Sequence, residues 1–555
     1  MKKKICAFLL TAALLTSPIF GSASAARIET VPTGAHRDIG VVAADYPEVG
    51  TTLEPDVELP SSFSNRELSM PVRQQTSNAC WAFSAASIME IATNKAGIYS
   101  DYFSPLHMNC WGTTQSNGKG WQRGVTSGGY PYIAMGYLTS YSGVVKEADF
   151  PITESLDSYN EWGSSLTPFI GADSVIFLNG NDRDTIKTAI YQYGAAVGNY
   201  HTNMSYYNTG QTAYYCDFPG LSVSQLNGHA ITIVGWDDNY NRENFNESHR
   251  PDSDGAWYCK NSWGPGGSAD GGYFWISYED YYIFDSRFGP SYAVVSLEQH
   301  DSDVHLYQNE IYGVTTEFDY MSAKQALTCV NIFDFKNGYN ELDKIMFETL
   351  AAGADYTVSY IPLDENDTPL TDQTKWVTLD TGTVGYQGYI SVDIDNYTVP
   401  SKKAGIGVTI TANDACNKPS IGVGETLSVG SGFSQRNVFE PDAKIGGSWV
   451  LYDKNLMLEL NDLYQRWWPG DGVEGNFIIK AFANIVDIMG DVDLDKQVTI
   501  LDVTKIQRRL ADLEPFDELQ DKLADYDADE LVTILDCTKI QRVLADIEEC
   551  PYIVG

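Results

Sequence analysis

A multidomain α+β protein is what the 555-residue sequence predicts, on three observations. Over 59–292 a small-residue apolar run opening on Cys80 reads as a helix, and runs that read as strands follow it. From 296 to 485 short Val, Ile, Tyr and Thr runs recur between Gly, Asp and Asn turns, the pattern of a β-sandwich. Residues 491–514 return at 525–548, offset by 34 and identical at 17 of 24 positions, so 488–551 reads as a small module made of two copies of one acidic loop and helix.

Ahead of these parts, Met1-Lys2-Lys3-Lys4 gives a basic start, 5–15 an apolar stretch too short to span a bilayer, and Ala23-Ser24-Ala25 a small-residue cleavage site. Residues 1–25 are expected to be a signal peptide and 26–58 a pro-like or linker segment, which makes the protein secreted and extracellular. No later run approaches the roughly 20 apolar residues of a membrane helix. A formal charge of −38 and a pI near 4.3 speak against nucleic acid or an anionic membrane as partner. Nine cysteines, Cys6 in the leader among them, are too sparse for a disulfide framework.

Three segments carry chemistry. Ala79-Cys80-Trp81-Ala82-Phe83-Ser84 mounts a lone Cys where a helix begins. Asn227-Gly228-His229-Ala230-Ile231-Thr232 reads as a turn running into a strand, with His229 at the strand's start, and Lys260-Asn261-Ser262-Trp263-Gly264 follows. Singly, a buried Cys is ordinarily a small hydrophobe and a His at a strand start a satisfied core residue. In this order, with separations of 149 and 32 residues, the segments resemble the papain-like cysteine peptidases, in which Cys, His and Asn meet in space. The resemblance implies a papain-like fold, a helical subdomain beside a β-barrel-like one. Cys80 is then the nucleophile, His229 its base and Asn261 the residue that orients the imidazole, with Trp263 shielding that hydrogen bond. A thiol of ordinary pKa about 8.5 is expected to drop to roughly 3–4 beside an imidazolium at a helix N-terminus.

A glutamine upstream supplies the side-chain half of the oxyanion hole in that family. The family's spacing of six residues before the Cys selects Gln74, whereas the pattern Val72-Arg73-Gln74-Gln75, with one residue deleted from the loop, selects Gln75; both stay open. Gly128-Gly129-Tyr130-Pro131 resembles the family's segment on the cleft wall, where glycine lets a peptide backbone pair with the enzyme's own. Tyr130 and Pro131 then line an apolar pocket for the second residue before the scissile bond; the plain alternative is a Gly-rich turn ahead of a helix over 133–138. Thr76, Ser77, Asn78 and Ala79 offer Cys110 no partner for the disulfide papain has there, so Cys110 is expected to be free. The segment 26–58 is shorter than the family's inhibitory propeptides and lacks a helical period, which speaks against activation by propeptide removal.

In the duplicated module Asp491, Asp493, Asp495 and Asp502 recur as Asp525, Asp527, Asp529 and Asp536. These are positions 1, 3, 5 and 12 of a twelve-residue loop, where four carboxylates converge on one Ca²⁺. The carbonyls of Gln497 and Leu531 and the hydroxyls of Thr499 and Thr533 stand at positions 7 and 9, and helices are expected over 504–510 and 538–544. The duplicated loop and helix resemble the dockerin modules that plug enzymes into cohesin domains of cellulosomal scaffolds. That resemblance implies two Ca²⁺ ions and cohesin contacts through Ile500, Leu501, Ile534 and Leu535, with Lys505, Arg508, Lys539 and Arg542 nearby. Position 6, ordinarily glycine, is Lys496 or Glu530, at a cost on the order of 1 kcal/mol.

In the middle domain, strands are expected over 358–361, 388–392, 405–410 and 477–480. Its size and position resemble lectin-like modules that follow papain-like domains in some bacterial proteins. Carbohydrate binding with Tyr464, Trp467 and Trp468 stacking on sugar faces is one reading; a structural partner packed on the peptidase is the other and the preferred one. The expected activity is a secreted cysteine endopeptidase that needs no cofactor for catalysis, held on a cellulosome scaffold by a Ca-dependent dockerin. A catalytically weak papain-fold protein that binds peptide or carbohydrate, or a regulator of other scaffold-borne proteins, is the alternative; an intact Cys80, His229 and Asn261 weighs against it.

Overall fold

The structure, a computed structural model, describes residues 58–548 apart from 116–117, 223–224, 320–325, 337–338, 430–435, 454, 468–471, 486–487, 496 and 546. The expected signal peptide, nearly all of 26–58, Trp468 and Lys496 lie outside the described residues. No helix among the described residues is long and apolar enough to cross a membrane.

The first domain is organised around the helix Cys80–Lys95, buried along its whole length from Cys80 to Thr93. Its small residues Ala82, Ala85 and Ala86 let neighbouring elements approach closely. The helices Pro105–Trp111 and Pro131–Leu138 and the strand Gly228–Asp237 pack against it. Pro131 occupies the first helical position, where its fixed φ suits the helix and its missing N–H costs nothing, so that helix starts two residues ahead of the expected 133.

Strands Ala196–His201, Gly228–Asp237, Ala256–Lys260 and Tyr273–Ser277 lie side by side and antiparallel. The barrel-like subdomain expected here is a stretch of a larger sheet whose hydrogen-bond order stays open among the described strands. That sheet runs on through Ser291–Gln299 and Ile170–Leu178 into Gly388–Thr398, Tyr339–Thr349, Ile479–Ile485 and Val304–Gln308, thirteen strands in all. The two domains join where Tyr389 pairs with Val175 and Gly388 with Ile176. Glycine is required at 388, where φ is +133° and a Cβ would meet the Val175 carbonyl oxygen at 2.1 Å. Strand Ser291–Gln299 crosses the boundary placed between 292 and 296.

The second domain is a β-sandwich. A six-stranded sheet containing Asp355–Ile361, Lys403–Thr411 and Ala326–Asp334 shares a core with the sandwich strands of the large sheet through Leu327, Phe347, Val408 and Ile479. The expected strands at 358–361, 388–392 and 405–410 fall inside observed ones. The run at 477–480 divides: Gly475–Phe477 pairs with Ser420–Glu425, Ile479–Ile485 joins the large sheet, and the chain changes sheets at Ile478. Tyr464 is not a sugar platform, because the helix Leu460–Trp467 turns it into the core, and Trp467 stacks on Phe318 at 5.9 Å.

The C-terminal module packs the helices Ile500–Leu510, Glu518–Ala524 and Ile534–Leu544 around Val503, Ile506, Leu523, Cys537 and Ile540. Its first and last helices start four residues earlier than expected. Thr499 and Thr533 cap them, each hydroxyl accepting from the N–H two residues on, while Asp502 and Asp536 accept from the threonines' own N–H groups.

Candidate active site

Cys80 is the first residue of its helix, and the residue before it, Ala79, offers no capping side chain. Ala82 N donates to Ala79 O at 2.9 Å, which leaves the N–H groups of Cys80 and Trp81 to face the sulfur together with that of Ala230, whose nitrogen lies 3.4 Å from Sγ. Ala230 follows His229 at the start of the strand Gly228–Asp237, so strand and helix end meet at the thiol. Asn261 stands just past the adjacent strand Ala256–Lys260, and its Oδ1 lies 2.9 Å from His229 Nε2. That contact leaves His229 Nδ1 as the ring nitrogen free to serve the sulfur. The Trp263 ring lies 4.7 Å from the imidazole, tilted by 31°, over the His229 and Asn261 pair. Cys80 and His229 are both buried.

Enclosure opposes either charge alone. Burial pushes the Cys80 thiol up to about 12 against the pull of the three N–H groups, and pushes the His229 imidazole down to about 4 against its hydrogen bond with Asn261. A proton passing from Sγ to the imidazole creates both charges together, where each offsets the other.

The two glutamines part company. Gln75 is half-buried, its Oε1 accepting from Ser262 Oγ at 2.6 Å beside Asn261 and its Nε2 donating to Ser77 O at 2.7 Å. Gln74 is exposed and bridges to Trp263 through the backbone. Gly128 and Gly129 are buried next to the nucleophile's neighbour: a Cβ at Gly129 would fall 2.4 Å from Trp81 Nε1. Tyr130 and Pro131 are buried too, and Tyr130 stacks on Trp121 at 5.0 Å. All the described cysteines are free, Cys110 included.

Behind these residues lies a group that local motifs did not single out. Arg73, ahead of both glutamines, pairs with Glu90 on the Cys80 helix and with Glu147; Lys260, ahead of Asn261, donates to Ser87 Oγ at 3.0 Å and faces Glu90. Burial lowers Lys260 to about 8. An acidic residue ten positions after Cys80 in an otherwise apolar run was the available signal.

In the C-terminal module, ligand oxygens of Asp491, Asp493 and Asp502 lie within 4.8 Å of one another, as do those of Asp525, Asp527 and Asp529. Asp495 and Asp536 complete the expected sets but stand outside these trios. Asp493 Oδ1 and Asp527 Oδ1 are buried with no hydrogen-bond partner among the described residues, which fits an oxygen-seeking cation. The hydroxyls of Thr499 and Thr533 are engaged as helix caps, and Gln497 and Leu531 are exposed. Glu530 takes the left-handed conformation its loop position demands, with φ +69°. Ile500, Leu501, Ile534 and Leu535 are 56–61% exposed on the first turns of their helices. Lys505 and Lys539 face Asp493 and Asp527, and Arg508 and Arg542 pair with Glu514 and Glu548.

Residues 59–286 match the papain family cysteine protease and 306–483 the lectin like domain. Among solved structures, the clostridial cysteine protease Cwp84 after propeptide cleavage is 31% identical, with 77% of this chain and 100% of that chain covered and a TM-score of 0.66. The chain belongs to the papain family of cysteine proteases. The peptidase is also similar to the cysteine protease and lectin-like domains of Cwp84, a surface layer associated protein of Clostridium difficile, at 29% identity over 83% of this chain and 94% of that one, with a TM-score of 0.67. No curated protein matches the peptidase. Its β-sandwich is accordingly the lectin-like domain.

Proposed function

We propose that this peptidase is a secreted endopeptidase that cuts peptide bonds through Cys80, His229 and Asn261, and that its C-terminal module tethers it to a cohesin-bearing scaffold through Ca²⁺. The observation that carries the catalytic part is the 2.9 Å contact between His229 Nε2 and Asn261 Oδ1, made while the next backbone N–H reaches Cys80 Sγ. Asn261 holds the imidazole with Nε2 protonated, so Nδ1 takes the thiol proton as Sγ attacks the scissile carbonyl. The oxyanion that forms is met by uncapped N–H groups of the first helical turn and by a glutamine amide. Gln75 is the residue we assign to that task, because Ser262 fixes it beside Asn261; its amide exchanges Ser77 O for the oxyanion. Collapse expels the amine, which receives the proton from Nδ1, and leaves a thioester on Cys80. Water then attacks the thioester, giving a proton to His229 and returning the thiol and a carboxylic acid.

Secretion rests on the N-terminal leader and agrees with the surface-layer association of the Clostridium difficile relative. Scaffold attachment rests on the duplicated loops. Asp491, Asp493 and Asp502, and Asp525, Asp527 and Asp529, would hold the two ions, with Asp495 and Asp536 completing each set. When bound, Ca²⁺ neutralises carboxylates that otherwise repel one another. The exposed Ile500, Leu501, Ile534 and Leu535 are an apolar surface that a partner domain would cover.

A peptidyl epoxide that alkylates the active thiol tests the catalytic reading. Wild-type protein should be labelled and Cys80→Ala should not; equal labelling of both ends the reading. Pull-down on cohesin domains, in calcium and then in excess chelator, tests the tether, and binding indifferent to chelation, or none at all, removes it without touching the catalytic assignment.

A further inference from the structure

The lectin-like domain reaches into the first domain beside the segment assigned to substrate. Its strand Arg436–Glu440, outside the two sandwich sheets, pairs antiparallel with Gly120–Trp121 and with Leu427–Val429, placing Phe439 opposite Trp121. Trp121 is held by three contacts: its ring lies 4.8 Å from that of Phe439 and stacks on Tyr130 at 5.0 Å and 25°, and its Nε1 donates to Tyr312 O at 3.1 Å. Trp121 and Phe439 are buried to 1% and 0% exposure, so the stack has no slack toward solvent. Tyr130 directly follows Gly129, which on its other side abuts Trp81, the neighbour of Cys80. Two aromatic rings, Trp121 and Tyr130, thus connect a strand of the lectin-like domain to the Gly128–Gly129 backbone.

We propose that Phe439 of the lectin-like domain is a positioning residue of the peptidase, which holds Gly128–Gly129 in place to pair with the substrate backbone ahead of the scissile bond. This rests on the reading of Gly128–Gly129 as the cleft wall. Two consecutive glycines have the least rigidity of their own, and backbone hydrogen bonds weaken steeply when donor and acceptor are misaligned. The wall's order therefore comes from what holds it: Arg123, whose Nε donates to Gly128 O at 2.8 Å, Trp81 on the nucleophile's side, and the stack of Tyr130, Trp121 and Phe439 beyond Gly129. Phe439 does not touch Cys80, His229 or Asn261, so its effect falls on the binding of extended peptides and not on the bond-making step.

The test uses the full chain and peptides with one or three residues ahead of the cut, together with iodoacetamide, a small alkylating agent that needs no wall. For wild type, the longer peptide should have the lower KM. In Phe439→Ala the KM for the longer peptide should rise about tenfold, and in Phe439→Leu about threefold, while kcat stays within about twofold and Cys80 is alkylated at the wild-type rate. Circular dichroism checks the fold of both variants, and Phe439→Leu carries the test where the alanine variant does not fold. An unchanged KM in the folded variants overturns the proposal, and so does a parallel fall in kcat and in the alkylation rate of Phe439→Leu. A wild type that gains nothing from the longer peptide shows instead that Gly128–Gly129 is not the wall, and a wild type that iodoacetamide and the epoxide both leave unlabelled at Cys80 removes the catalytic reading itself.

Discussion

Arg73 Nη2 donates to Glu90 Oε1 at 2.6 Å, and the other oxygen of Glu90 lies 3.7 Å from Lys260 Nζ. One buried carboxylate on the Cys80 helix thus holds the residue ahead of the two glutamines and the residue ahead of Asn261. Burial raises the Glu90 carboxyl, and the two cations oppose that shift. Glu90→Gln keeps the volume, removes the carboxylate that Lys260 faces and leaves Arg73 only its pair with Glu147, so the loss of stability should be about 3 kcal/mol, the scale of breaking a buried pair. Urea unfolding measures it; a midpoint equal to wild type would show that the network carries nothing.

His107 makes stability depend on acid. Its Nδ1 lies 2.7 Å from Tyr137 Oη and its Nε2 3.0 Å from Gly163 O, and burial lowers its pKa to about 4. The unfolded chain, with an ordinary imidazole near 6.5, binds a proton that the folded chain refuses between those two values. The stabilisation is complete above pH 6.5 and is lost as pH falls to about 4, by roughly 3 kcal/mol for a shift of this size. Melting temperatures from pH 7 to pH 4 should fall less steeply for His107→Phe than for wild type; parallel curves would contradict the assignment.

Substitution at the three site residues should give unequal losses. Cys80→Ala and His229→Ala remove the nucleophile and the base and should abolish turnover. Asn261→Ala leaves both and removes only the orientation of the ring, so a remnant of about 10⁻² of wild-type kcat should persist. An Asn261→Ala variant as inactive as Cys80→Ala would give Asn261 a larger part than orientation.

Chelation should melt the C-terminal module and spare the peptidase. Without a cation the carboxylates of Asp491, Asp493 and Asp502 stand crowded, whereas the module's core is the small cluster around Val503, Ile506 and Tyr526. Excess chelator should therefore remove a low-temperature unfolding transition and leave the kcat on a short peptide unchanged. Asp491→Asn together with Asp525→Asn should reproduce the loss without chelator, and a transition indifferent to both treatments would deny the loops a structural ion.

Local segments explain how much of the site was legible. Cys80, His229 and Asn261 each sit at the end of an element with its own sequence signature: a helix start, a strand start and a strand exit. The duplicated loops were legible for the same reason, although the extent of their helices was not, because the threonines act as caps and recruit Ile500 and Ile534 into the first turn. Contacts between distant segments left no signature. Nothing in Gly120-Trp121 signals a partner strand at 436–440, and the alternation that marked the sandwich strands is silent on which sheet each joins, as Ile478 shows. Sequence leaves Tyr464 open between a sugar platform and the core because aromatic clusters look alike whether they face solvent or core, and only the packing of the Leu460–Trp467 helix decides between them.

The pairing of Gly388 and Tyr389 with Ile176 and Val175 has a practical consequence for anyone shortening this chain. A peptidase cut free near residue 300 would leave one side of the strand Ile170–Leu178 without its ladder partner, and it would uncover the buried rings of Trp121 and Trp111, against which Phe439 and Tyr312 pack. A bare strand edge beside newly wetted aromatics is a template for self-association. The shorter protein should therefore be recovered as aggregate, and the smallest soluble form of the enzyme should extend to about residue 485, where the last strand of the shared sheet ends.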